Sequence, residues 1–213
     1  MGLISLCLVL VVLLSVGVLA ASRLQTSIRL VAAQGVVLGL LPALLHDREL
    51  GVHLLVFAAG AIAVKGWLMP WLLLRAMREA EVRREVEPFI GFSATLLLAG
   101  GLTGAAFLMA DELPIPVPAD SQLLVGAALS TLAIGALVMV SRKKAVTQVL
   151  GYLLLENGIY VFGQTLTGSV PELVELGILL DVLAGVFVMG IAIFHINREF
   201  DHMSVPELTA LRD

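Results

Sequence analysis

The sequence predicts an all-α, polytopic integral membrane protein of about seven transmembrane helices. Three observations carry this. Of the 213 residues, 59% are hydrophobic, with a mean hydropathy of +1.02, where soluble domains are about half apolar and broken up by charge. The apolar residues fall in blocks of about 20, the length that crosses ~30 Å of hydrocarbon. The basic residues between the blocks segregate to one side.

The blocks are 2–21, 25–45, 53–77, 89–110, 122–140, 145–167 and 172–196. The first, GLISLCLVLVVLLSVGVLAA, has no basic segment before it and exceeds the apolar core of a signal peptide, ~7–15 residues. It reads as a retained transmembrane helix. HDREL at 46–50 closes the second block, and REAEVRREVEP at 78–88 closes the third, because both are too charged for hydrocarbon. DELPIPVPAD at 111–120 cannot continue a helix, since its three prolines remove backbone donors. SRKK at 141–144 and TGSVP at 167–171 separate the last three blocks. Pro171 suits the first turn of the last helix, and Glu172 its positive end.

Seven spans place Arg48 in the loops of one side. The other side holds Arg23, Arg75, Arg78, Arg83, Arg84, Arg142, Lys143, Lys144, Arg198 and Arg212. Basic loops stay cytoplasmic, so the N-terminus is expected outside and the C-terminus inside. The last three spans have shorter connections and more buried polar groups than the first four. This divides the chain into a four-helix region (1–120), a three-helix region (121–196) and a short polar tail (197–213). No strong internal repeat is visible, and no room is left for a separate soluble catalytic domain.

Three ionisable residues lie at membrane depth: Glu156, Asp181 and Lys65. A carboxylate there costs roughly 3 kcal/mol on insertion scales, so such residues pair, conduct or bind. Glu156 is central in the sixth span. Gln148, Tyr152 and Tyr160 recur with it at a spacing of four, and Asn157 adjoins it. Such a polar seam needs a partner helix or internal water. Two readings fit: a protonatable relay, or a hydrogen-bonded acid that ties helices together. Asp181 is flanked at spacing four by Gly177 and Gly185, which permit close helix approach. It stands about as far from TGSVP as Glu156 does, so the two acids sit at similar depth. Whether they share a cation or proton, or act as separate stations, stays open.

Lys65 is central in VFAAGAIAVKGWLMPWLLL, too far from either end to snorkel easily. Its expected partner is Glu156, Asp181 or an acid of another subunit, in a relay or in a structural ion pair. Gly66 and Pro70 point to a kink or a loosened turn there. Arg29 and Gln34 are candidates for caps or interhelical hydrogen bonds. Glu175, near the outer end of the last span, is an entry or exit group or faces headgroups. His53 and His195 are at span ends. Gly100, Gly101 and Gly104 read as a close-packing face.

Cys7 is the single cysteine and excludes an internal disulfide. No metal-ligand spacing and no phosphate-cradling glycine loop occurs, so no cofactor or metal is expected in this chain. A retinal-type site would need an aromatic-lined pocket and a lysine in the last span. Here aromatics are 6% and the lysine is in the third. Nothing points to nucleic acid.

QVLGYLLLENGIYVFG, then PELVELGILLD, then SVPELTALRD resemble the membrane subunit called hydrogenase-4 component E, as does the Lys65–Pro70 spacing. That family belongs to group 4 nickel-iron hydrogenases of the formate hydrogenlyase type. The resemblance covers nearly the whole chain, most strongly 142–213. The last three spans are also similar to the small NuoK-type subunit of respiratory complex I, which has membrane carboxylates on consecutive helices. Glu156 matches the first. Asp181, with Gly185 in register, matches the second, as an aspartate in place of glutamate.

The resemblance implies a subunit without an active site of its own, in a bacterial or archaeal cytoplasmic membrane. Its partners would be antiporter-like subunits, an arm-proximal membrane subunit and, through them, a hydrophilic arm holding nickel-iron and iron-sulfur centres. It would link these subunits and continue a polar proton-translocating axis through Glu156 and Asp181. The alternatives are a purely structural assembly subunit, or the small subunit of a multisubunit cation/proton antiporter.

Overall fold

A computed structural model describes residues 2–45, 52–79, 89–113, 122–142 and 145–166, together with Gly185 and Gly190. These residues are helical apart from short connections. The helices are α1 (Gly2–Ala20), α2 (Leu24–Leu45), α3 (Val52–Ala61), α4 (Met69–Glu79), α5 (Phe92–Glu112), α6 (Gln122–Ser141) and α7 (Ala145–Leu166). A π-helical segment, Ile62–Leu68, joins α3 to α4, so 52–79 is one helical stretch with a widened middle.

Among the described residues, four helices are long and apolar enough to cross a membrane: α1, α2, α5 and α6. In the third stretch the π segment separates two shorter α-helices of 10 and 11 residues. α7 has 22 residues but carries Thr147, Gln148, Glu156, Asn157 and Gln164 among its apolar ones. The last expected span, with Asp181 and Glu175, lies outside the described residues except for Gly185 and Gly190.

Glycine sets the closest approaches. A Cβ on Gly135 of α6 would come 2.8 Å from Leu155 Cα and 2.9 Å from Gly151 O of α7. On Gly151 it would meet Met139 N at 2.7 Å, and on Gly158 Leu132 N at 2.7 Å. The neighbours are backbone atoms, which cannot swing away. In lipid, where apolar burial gives no gain, such backbone proximity and its packing hold helices together. In α2, a Cβ on Gly35 would stand 2.7 Å from the backbone carbon of Lys65, so the π segment lies directly on α2.

The expected close-packing face on α5 is not found. A Cβ on Gly100, Gly101 or Gly104 would meet nothing within 4 Å. These glycines lie on the exposed side of α5, whose buried residues are Thr95, Ala99, Ala106 and Ala110.

Two apolar clusters fill the bundle. One includes Val18, Leu19, Ile28, Leu73, Ile134, Leu150 and Leu154. The other includes Leu8, Val11, Leu38, Leu41, Leu124 and Val161, with Cys7 packed against it. Along α1, α2 and α7 alike, a buried polar residue stands between the stretches that feed the two clusters. These are Ser15, Gln34 and the pair Glu156–Asn157. The bundle is therefore layered: apolar, polar, apolar.

Candidate functional site

The polar layer is assembled from four helical stretches. α7 supplies Glu156 and Asn157, the π segment supplies Lys65, α2 supplies Gln34 and α1 supplies Ser15. All five are buried; Lys65 is 6% exposed and Glu156 2%.

The π segment explains how Lys65 takes its place. Met69 N–H donates to Val64 O, five residues back instead of four. The turn is wider, as in the π-bulges that recur at functional sites. This is the loosened turn expected from Gly66 and Pro70. Gly66, next in the segment, also fits against α2, where a Cβ would come 2.8 Å from Val36 Cγ2.

Lys65 Nζ lies 3.1 Å from Glu156 Oε1, a fully internal ion pair. It also donates to Asn157 Oδ1 at 3.4 Å. The Tyr160 ring, one turn along α7, has its centroid 5.5 Å from the ammonium and offers its electron-rich face. A buried ion pair is tolerated when additional hydrogen bonds offset the desolvation of both charges.

The layer extends to α1. Asn157 Nδ2 donates to Gln34 Oε1 at 3.0 Å. Gln34 Nε2 donates to Ser15 Oγ at 2.8 Å and to Val11 O at 3.1 Å. Ser15 Oγ donates in turn to Val11 O at 2.9 Å. Chains of this kind polarise one another in a low-dielectric interior.

The sequence-selected residues divide. Glu156, Lys65, Asn157 and Tyr160 are together. Gln148 is exposed and donates to Arg142 O at 3.2 Å, far from the pair. Tyr152 packs against the apolar cluster on that side. A spacing of four drifts roughly 40° per step around a helix, so the stripe leaves the site within two steps. Arg29 is exposed. Asp181 and Glu175 lie outside the described residues. Two contributors went unselected or were given a minor part. Ser15 is a single hydroxyl in a strongly apolar helix, and the part played by Gln34 depends on which helices flank it.

A second buried cation, Arg142, sits at the end of α6. Its Nη2 donates to Leu19 O at 2.7 Å, and its guanidinium lies 4.4 Å from the Phe92 ring centroid. A cation suits the C-terminus of α1, where carbonyls lack helical partners. Its role is to hold α1, α5 and α6 together at that end.

Among known proteins, an uncharacterized protein of Mycobacterium tuberculosis is 36% identical over 203 residues, covering 95% of this chain and 92% of the relative. Hydrogenase-4 component E of Escherichia coli K12 is 28% identical over 203 residues, covering 95% of this chain and 94% of its own. The Shigella flexneri protein of that name matches equally. The chain is homologous to hydrogenase-4 component E over nearly its whole length. Likeness to that family spans the ion-pair helices and the four N-terminal helical stretches together. No family model matches the chain, and no solved structure matches it.

Proposed function

We propose that the protein is a non-catalytic membrane subunit of a hydrogenase-type oxidoreductase complex, and that Glu156 and Lys65 belong to its proton-translocation path. The observation that carries this is the Lys65–Glu156 pair, buried in the polar layer and set in a π-helical turn. A proton arriving at the Glu156 carboxylate neutralises it and removes the attraction that holds the ammonium. Proton occupancy of Glu156 and the position of Lys65 are thereby linked, and a widened turn gives the lysine backbone room to respond.

Asp181 is the proposed next station. In support, a Cβ on Gly185, four residues on from Asp181, would lie 3.0 Å from Met69, which is four residues on from Lys65. Glu175 is a proposed access group. The seven-span topology, with cytoplasmic C-terminus, is part of this reading. So are the partners: antiporter-like subunits, an arm-proximal membrane subunit and an arm bearing nickel-iron and iron-sulfur centres. The relatives named hydrogenase-4 component E support the class of complex.

Glu156→Gln tests the reading. The variant complex is expected to assemble on a native gel, yet its turnover should no longer respond to an uncoupler. A second reading, a purely architectural pair, is favoured by the hydrogen bonds that continue to Ser15. It expects the same variant to lose the assembled complex.

A further inference from the structure

Both tryptophans of the chain, Trp67 and Trp71, face outward on the third helical stretch. Trp67 is 70% exposed and Trp71 47%. Arg75 and Arg78, further along, are exposed as well. From position 67 to 78 an α-helix makes three turns with a mismatch of roughly 20°. With 71 and 75 between, the four side chains form one line on the outer face. Arg75 holds its guanidinium over the Trp71 ring, 5.8 Å from the centroid, within reach of a cation–π contact. Among the described residues, Arg78 has no ion-pair or hydrogen-bond partner. Gly185, from the last expected span, stands against Met69 and Leu72 instead of this line.

The line has a direction. Lys65 marks the polar layer between the two apolar clusters, hence the middle of the bundle. At 1.5 Å per residue, Trp67 lies about 3 Å from that level, Trp71 about 9 Å, Arg75 about 15 Å and Arg78 about 20 Å. Half of a bilayer's hydrocarbon is ~15 Å. The line therefore passes from aromatic to cationic at the depth where a lipid passes from acyl chain to phosphate. α5 shows the contrast. Its outward Leu97 and Leu108 are 79% and 71% exposed, and it ends on exposed Asp111 and Glu112. That face suits any acyl chain and repels an anionic headgroup.

We propose that Trp67, Trp71, Arg75 and Arg78 form a binding site for one anionic phospholipid. The two guanidinium groups take its phosphate, with the planar fork that matches phosphate oxygens. The two indole rings take an acyl chain. Charge complementarity selects a headgroup of net negative charge, because a zwitterionic one brings its own cation against the arginines. Trp67 belongs to the π segment, so the acyl chain lies along the outer wall of the turn that carries Lys65. The site does not depend on proton transfer at Glu156.

Tryptophan fluorescence tests this directly, since the chain has no tryptophan outside the line. The full chain is reconstituted in phosphatidylcholine vesicles that contain a minor fraction of brominated phosphatidylglycerol or of brominated phosphatidylcholine. Bromine quenches an indole that it touches. Phosphatidylglycerol should show an apparent affinity at least fivefold higher, the fold-change of about 1 kcal/mol that one basic residue contributes near an anionic surface. Arg75→Gln with Arg78→Gln should bring the two lipids to equality, and Lys at both positions should keep most of the preference.

Equal quenching by the two lipids in the wild-type chain overturns the proposal, and so does a preference unchanged in the Gln pair. Quenching by neither lipid means that protein, such as a second copy, covers the line, and also overturns it. If the Gln pair does not insert, Arg78→Gln alone decides: a reduced preference supports the site and an unchanged one overturns it. In the whole complex, the wild type should retain more phosphatidylglycerol on purification than the Gln pair. Equal lipid content there means that a neighbouring subunit occupies the line, and the proposal falls.

Discussion

On α7, Leu150 and Leu154 belong to one apolar cluster and Val161 to the other, with Glu156 and Asn157 between them. α1 and α2 repeat the pattern around Ser15 and Gln34. The apolar layers need only fit, because lipid is as apolar as leucine and burial itself gains little. The polar layer needs every partner, since an orphaned charge or amide has no solvent to turn to. The two kinds of layer should therefore answer mutation differently.

The largest effect is expected at the ion pair. Lys65→Met leaves Glu156 buried beside an apolar side chain, which should cost about 3–5 kcal/mol of stability. Adding Glu156→Leu should recover most of it, because a buried pair replaced as a whole by apolar groups is often neutral. Thermal unfolding of the purified chain in detergent, wild type against single and double variants, reads this. If the double variant is no more stable than Lys65→Met, the cost does not arise from a stranded charge.

The glycine contacts come next. Gly135→Ala would press a methyl group onto Leu155 and Gly151 backbone. Overpacking costs about 1–3 kcal/mol, and the upper end is expected because backbone on both sides cannot rotate away. Leu154→Ala, in an apolar layer, should cost less than the same change in a soluble core: about 2 kcal/mol, since packing is lost but no transfer from water. The smallest effect is expected on α5. Gly101→Ala adds a methyl group to open space and should not destabilise the isolated chain, with a gain of at most about 0.5–1 kcal/mol because Ala favours a helix interior over Gly. A large loss there would show that the exposed side of α5 is packed in the isolated chain.

The same contrast decides what is legible in the sequence alone. Lys65 and Glu156 are visible as residues because a charge in an apolar run is expensive wherever its helix points. The loosened turn is visible in Gly66 and Pro70. Ser15 is not, since a hydroxyl can satisfy itself within its own helix, and its bond to Gln34 depends on how α1 lies on α2. Glycines mislead for a related reason. Gly100, Gly101 and Gly104 are clustered in sequence and face outward, whereas Gly135, Gly151 and Gly158 are scattered and form the α6–α7 contact. Spacing shows which residues share a face; only packing shows what that face meets.

The Lys65–Glu156 pair either moves protons or only joins helices. The direct measurement is proton uptake by proteoliposomes holding the whole complex, normalised to redox turnover, for wild type and Glu156→Gln at equal assembled protein. Loss of uptake with the complex intact is the predicted result. Uptake per turnover equal to wild type would contradict it.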